Sequence, residues 1–183
     1  MDAAVSDARE PSPRHSGHHH RQSAPARVAT AIVTVSDTRT LESDSGGALV
    51  EEKLLAAQQI VTGRRIVPDE PSAIRNALDE ILAKAESRAV IFTGGTGIAP
   101  RDVTPDTIEP LLDRVITGFG ELFRMLSYQD IGSAALLSRA LAGLKDGKVI
   151  FAIPGSRGAV RLAMDELIVP ELGHLVAEAI KVR

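Results

Sequence analysis

Thr93-Gly94-Gly95-Thr96-Gly97 sets three glycines in four residues directly after the apolar run Ala89–Phe92. Without Cβ atoms the backbone can approach a phosphate or a flat ring closely, and consecutive exposed N–H groups can cradle an anion. The other use of such a run is a tight turn that binds nothing. The stretch matches neither the G-x-G-x-x-G dinucleotide pattern nor the Lys-Ser/Thr ending of a Walker loop. A second loop, Pro154-Gly155-Ser156, follows another apolar run and opens a helix. A helix N-terminus presents unpaired N–H groups and the positive end of the dipole. Ser156 can donate to a phosphate oxygen there, or serve as a plain N-cap. Two such loops at strand ends favour one shared anion site over two separate turns.

Three acids stand at element boundaries: Asp37 after the first apolar run, Asp69 before Pro71, and Asp102 after the glycines. Carboxylates beside a phosphate are unfavourable unless a cation lies between them, so their placement suggests Mg²⁺. Each taken singly also reads as a turn or cap acid. Arg101 can offset phosphate charge or pair with an acid, and Arg39 and Arg157 are weaker candidates of the same kind. Nucleophilic catalysis finds little support. The chain has no Cys, and His174 is the only histidine after residue 20. Phosphoryl-type transfer needs positioning and charge neutralisation more than a protein nucleophile, and it remains open to this set of residues.

The elements that carry these residues alternate strand and helix. Val28–Val35 is a β-branched run with polar flanks, which predicts a buried strand, and the polar loop from Ser36 to Ser45 follows it. A helix is expected over about 46–57, a weaker strand over Ile60–Val67, and a helix from Pro71 with Ile74, Leu78, Ile81, Leu82 and Ala85 on one face. Ala89–Phe92 is a short buried strand. Thr104-Pro105-Asp106 combines a cap, a first-position proline and a first-turn acid. Gly118 to about Asp130 predicts a helix with Phe119, Leu122, Phe123 and Leu126 towards one face. Asp146-Gly147 between two apolar runs predicts a hairpin and hence an antiparallel part of the sheet. Ser156 caps a helix with Val160, Ala163, Met164 and Leu167 on one face, and a last helix is expected from Pro170. This order predicts a three-layer α/β/α sandwich around a mostly parallel mixed sheet.

The 183 residues suit one domain, here 27–183, preceded by a tail over 1–26. That tail holds His15, His18, His19 and His20, and Val5 is its only large aliphatic residue after Met1. So little apolar surface cannot offset the entropy of ordering, so disorder is expected there. A net charge of −3 gives no basic field for nucleic acid or a membrane surface. Neither a membrane-spanning run nor the apolar middle of a signal peptide is present, so the expectation is a soluble cytoplasmic protein.

Val33-Thr34-Val35-Ser36-Asp37, Asp44-Ser45-Gly46, the Thr93–Gly97 run, Arg101-Asp102-Val103-Thr104-Pro105-Asp106 and Pro154-Gly155-Ser156 resemble, in order and spacing, the MoaB/MogA family of molybdenum cofactor biosynthesis. The resemblance spans about residues 28–180. Gly118–Ser127 with Ile131-Gly132 is most similar to the MoaB branch. The resemblance implies a molybdopterin-binding fold and transfer of an adenylyl group from Mg-ATP to molybdopterin, releasing pyrophosphate. It implies Asp69 and Asp102 as catalytic and Mg²⁺-holding residues. It also implies Ser36, Asp37, Gly94, Gly95, Thr96, Gly97, Arg101, Pro154, Gly155 and Ser156 as substrate- or phosphate-binding residues. Both aspartates of the catalytic pattern are present, which favours an active enzyme over a non-catalytic molybdopterin carrier. The resemblance further implies a homo-oligomer, a trimer or a hexamer, with molybdopterin, ATP and other proteins of cofactor assembly as partners.

Overall fold

The structure is a computed structural model that describes residues 24–181. Residues 1–23 of the expected tail lie outside the described residues. Its last three residues do not behave as a tail. Pro25 lies so close to Gly173 that a Cβ there would sit 2.5 Å from the Pro25 carbonyl oxygen, and the Ala26 carbonyl accepts from Gln59. The packed part of the chain therefore begins earlier than Arg27, because Gly173 leaves room for the segment to cross the last helix.

Six strands form one sheet in the order β2-β1-β3-β6-β5-β4. They are β1 (Ala29–Val35), β2 (Ile60–Val67), β3 (Ala89–Thr93), β4 (Arg114–Val115), β5 (Leu141–Lys145) and β6 (Lys148–Ile153). β2, β1, β3 and β6 run parallel, while β5 runs antiparallel to β6 and to β4. The expected hairpin joins β5 to β6. Asp146 and Gly147 take φ of 50° and 72°, the left-handed pair that a two-residue turn of this twist requires. The two-residue β4 was not apparent from pattern, since nothing in Arg114-Val115 alternates long enough to be read.

Side-chain alternation builds two cores. Ile32, Ala89, Ile91, Val149, Phe151 and Ile153 face one side, where they meet α1 (Ser45–Ala56), α4 (Thr117–Ile131) and the C-terminal helices. Ala31, Val33, Val35, Val90, Phe92, Ile150 and Ala152 face the other, packed on α2 (Pro71–Leu82) and α3 (Thr104–Ile108). Each central strand is buried on both faces, as parallel strands under helices must be. The result is the expected three-layer α/β/α sandwich.

Two helix expectations need correction. On α4, Phe119 and Phe123 are buried but Leu122 is 47% exposed, so the inward face is narrower than the apolar pattern suggested. At the C-terminus Pro170 does not start a separate helix. α5 (Arg157–Leu162) runs through a π-helical segment, Ala163–Ile168, into α6 (Val169–Ala179). Pro170 cannot donate to the carbonyl four residues back and would clash with it, and the wider π turn before it relieves both problems. The buried positions Val160, Met164, Ile168, Leu172 and Val176 then follow at steps of four. Such steps overshoot a 3.6-residue turn, and the π segment absorbs the overshoot. Ile168 therefore takes the inward place expected of Leu167.

Candidate active site

Parallel strands deliver their carboxyl ends to the same edge of a sheet, where ligands of open α/β folds bind. Here that edge receives Ser36-Asp37 from β1, Pro68-Asp69 from β2, Gly94–Gly97 from β3 and Pro154–Ser156 from β6. The loops meet at backbone contact. A Cβ on Gly155 would lie 3.3 Å from the Gly94 Cα, and one on Gly46 would lie 2.7 Å from the Gly155 carbonyl oxygen. Gly94 and Gly95 have φ of 105° and 60°. An added side chain at Gly94 would drive into the Val35 carbonyl, and one at Gly95 would lie 2.5 Å from Thr104 Oγ1 and 2.7 Å from Asp69 Oδ1. These glycines form a ridge with a different chemistry on each side.

On one side is a cavity of about 350 Å³ lined by Ser36, Arg39, Ser45, Gly46, Gly94, Gly95, Gly155 and Ser156, among others. Its walls are hydroxyls, backbone, Val35, the Arg39 guanidinium and the Asp44 carboxylate, and the N-termini of α1 and α5 open into it. Ser156 caps α5 by accepting from the Ala159 N–H at 3.3 Å, so the cap role is real and coexists with its place on the cavity wall. α1 is capped by Asp44, whose buried carboxylate accepts from the Gly47 N–H at 2.9 Å, the Thr34 hydroxyl at 2.7 Å and Arg64 at 3.0 Å. That network fixes Ser45 and Gly46 at the cavity. Arg64 comes from β2, far along the chain, and no local pattern marked it.

On the other side lies a shelf of acids. Arg101 pairs with Asp37 rather than with its neighbour Asp102, its Nε at 2.7 Å and an Nη at 2.6 Å from one carboxylate oxygen. The other Asp37 oxygen accepts the Asp69 N–H at 3.1 Å. The bond from Arg101, with that from Asp69, holds the Asp37 carboxyl below its ordinary range. Asp69 is pushed the other way, first by burial and then by the negative charge of Asp37, with Asp102 adding to it. Thr104 braces the ridge, its hydroxyl donating to the Gly94 carbonyl at 2.9 Å and its N–H to the Gly95 carbonyl at 3.0 Å.

Asp102 folds into its own loop, accepting the Ala99 N–H at 3.0 Å through Oδ2. Thr96 is buried, and neither it nor Gly97 nor Pro154 lines the cavity. The Thr96 and Gly97 carbonyls instead accept from the backbone N–H and the Nε of Arg139 at 3.0 and 2.7 Å. Arg139 is a residue that sequence reading passed over, since a lone arginine ahead of a strand carries no signal. His174 sits apart, 3.1 Å from Glu171. Among the described residues no three His, Cys, Asp or Glu side chains converge as metal ligands. Mg²⁺ commonly takes one or two carboxylates and completes its shell with water and substrate phosphates. Asp69, a carboxylate whose pKa is raised by burial and then by neighbouring negative charge, fits that use.

Fold and site together define an α/β protein with a donor-lined cavity beside a shelf of acids at the carboxyl edge of its sheet. A protein family described as "Probable molybdopterin binding domain" matches residues 31–174, and the chain belongs to that family. Molybdenum cofactor biosynthesis protein B of Halalkalibacterium halodurans is 51% identical over 165 residues, covering 90% of this chain and 97% of that protein. A crystal structure of a molybdenum cofactor biosynthesis protein B superposes with a TM-score of 0.83 at 52% identity, over 85% of this chain and 98% of that one. The tungsten cofactor synthesizing protein MoaB from Pyrococcus furiosus superposes with a TM-score of 0.78 at 36% identity, over 86% and 100% of the two chains. These likenesses bear out the resemblance to the MoaB branch and place the chain in molybdenum cofactor biosynthesis. No helix among the described residues is long and apolar enough to cross a membrane.

Proposed function

We propose that this protein binds molybdopterin at the carboxyl edge of its sheet and transfers an adenylyl group to it from Mg-ATP. The observation that supports this reading is the juxtaposition across Gly94-Gly95 of a donor-lined cavity and an acid shelf. A terminal phosphate oxygen of molybdopterin attacks the α-phosphorus of ATP. The bond between that phosphorus and the oxygen bridging to the β-phosphate breaks, and the electron pair leaves with pyrophosphate. The cavity with Ser36, Ser45, Gly155 and Ser156 suits the pterin and its phosphate, because it offers donors and no uncompensated acid. Arg101 and the acids of the shelf suit the nucleotide, with Asp69 and Asp102 as the residues that would hold Mg²⁺. The ion, when bound, offsets charge on the transferring and leaving phosphates. The protein's part is to align attacking and leaving oxygens and to keep donors directed at the phosphates, which is most of what phosphoryl-type transfer asks of a protein.

Incubation with molybdopterin and Mg-ATP, followed by mass detection of the pterin, tests this reading. Adenylyl-molybdopterin is expected, together with pyrophosphate, and chelation of Mg²⁺ is expected to abolish both. Retained pterin binding with no adenylylated product would favour a non-catalytic molybdopterin carrier.

The protein is further proposed to work as a homo-oligomer, a trimer or a hexamer. Leu122, Met125, Tyr128 and Ile131 repeat every three residues along the outside of α4, and Leu136 and Leu137 follow in the adjoining 3₁₀ segment, all about half exposed or more. A stripe of this kind is the usual mark of an interface. Sedimentation at micromolar concentration is expected to show an assembly, and Met125→Asp is expected to dissociate it. A monomer-sized species alone would sink this part.

A further inference from the structure

We propose that Arg139 is a positioning residue for adenylyl transfer, clamping the loop that carries Asp102 in its working geometry. The proposal rests on the reading above for what Asp102 does, but the clamp itself stands on geometry. Arg139 follows the 3₁₀ segment Gly132–Leu137 and precedes β5. Its backbone N–H donates to the Thr96 carbonyl at 3.0 Å and its Nε to the Gly97 carbonyl at 2.7 Å. One Nη donates to the carbonyl oxygen of Asp102 itself. The other spans both carboxylate oxygens of Asp106, in the first turn of α3, at 2.8 Å each. A single side chain thus grips both ends of the 97–102 loop and the helix that follows.

Nothing else does this from outside. Among the described residues, every hydrogen bond reaching the backbone of 97–102 from another part of the chain comes from Arg139. The remaining outside tie is the exposed Arg101 side chain on Asp37. Inside the loop, Asp102 closes a small ring with Ala99. Its N–H donates to the Ala99 carbonyl at 2.9 Å while its Oδ2 accepts the Ala99 N–H at 3.0 Å. That ring sets the carboxylate relative to the loop, and Arg139 sets the loop relative to β3 and α3. The guanidinium suits the task because its planar fork directs donors along several fixed lines at once. A lysine ammonium has the same charge but cannot reach three separated acceptors in that plane.

Arg139→Lys separates this role from simple charge. Partners that orient a metal-holding carboxylate typically cost about 10- to 100-fold in activity or metal affinity when changed. In Arg139→Lys, kcat for adenylyl-molybdopterin is expected to fall about tenfold or more, and the Mg²⁺ concentration for half-maximal rate to rise by a similar factor. KM for molybdopterin should stay within about twofold, because Arg139 does not line the cavity. Hydrogen exchange gives a readout independent of activity. The Ala99 and Asp102 amides should exchange faster in Arg139→Lys while the amides of β1, β3 and β6 keep their protection. If Arg139→Lys folds poorly, Asp106→Asn weakens one exposed arm of the clamp and should show the same pattern, more mildly.

Unchanged rate and Mg²⁺ requirement in a folded Arg139→Lys would overturn the proposal. So would loss of pterin binding and of sheet protection in step with the rate, which would mark a merely structural residue. An inactive wild-type protein would end the adenylyl-transfer reading, and the exchange experiment would still decide the clamp. Faster exchange confined to 97–102 would uphold it, and unaltered protection there would remove it.

Discussion

The two sides of the Gly94-Gly95 ridge share the ends of β1 and β3, with β6 and α1 completing the cavity and β2 the acid shelf, and their chemistry is opposite. The cavity side is donor-rich and carries the Arg39 guanidinium, and its one acid, Asp44, is buried and consumed by Gly47, Thr34 and Arg64. The shelf side is acidic, and only part of its charge is met internally, by Arg101 on Asp37. An anion can enter the first side as it stands. The second favours a cation, or an anion that brings one. A protein that joins a phosphate to a metal nucleotide needs both environments within a few ångströms. Glycines at the boundary allow that, because no side chain holds the two sides apart.

The largest disturbance should come from the ridge itself. Gly95→Val places a β-branched residue at φ of 60°, against Thr104 and Asp69. A strained backbone of this kind costs of order 1–3 kcal/mol before any clash is counted. The melting temperature is therefore expected to drop, and both pterin binding and adenylyl transfer to be lost, as seen by calorimetry and product assay. A folded, active Gly95→Val would show that the ridge does not need its glycines.

Changes on the shelf should act on rate rather than on pterin affinity. Asp69→Asn and Asp102→Asn keep size and lose the charge that would hold Mg²⁺. Each is expected to fold, to bind molybdopterin, and to turn over at least about tenfold more slowly, with 10²–10³ the typical cost of lost transition-state charge stabilisation. Titration of molybdopterin beside single-turnover kinetics checks this. Wild-type turnover in both variants would remove the shelf from catalysis.

The cavity side should show the reverse. Ser156→Ala removes a cap and a wall hydroxyl, so stability should fall by about 0.5–2 kcal/mol. A lost hydrogen bond to a charged phosphate costs about 1.5–3 kcal/mol, so molybdopterin should bind about tenfold or more weakly. Turnover at saturating pterin should hardly change. If Ser156→Ala slows turnover and leaves affinity intact, the assignment of the two sides is inverted.

The smallest effect concerns pH. Asp69 must be ionised to hold a cation, and its pKa is raised by burial and by Asp37. Activity at fixed, sub-saturating Mg²⁺ should therefore decline on acidification from a higher pH than an ordinary aspartate would give. Asp37→Asn removes one raising charge and frees Arg101 to act on Asp69, so it should move that decline to lower pH. A shift in the opposite direction would show that Asp37 is not coupled to Asp69.

Much of this was legible from the sequence because its causes are local. Glycine runs, a proline at the first position of α2, Asp146-Gly147 and the β-branched runs each act through backbone sterics within a few residues. They identified the central strands, the hairpin and both loops of the site, and the spacing of five motifs pointed to the family. What the sequence could not decide depends on contacts across the chain. That Arg101 turns to Asp37 and not to adjacent Asp102, that Arg64 of β2 completes the cap of α1, and that Arg139 holds a loop some forty residues earlier are facts of strand order. So is the outward turn of Leu122. An arginine's five donors are satisfied by whichever acceptors the sheet brings near, and only the folded sheet determines which those are.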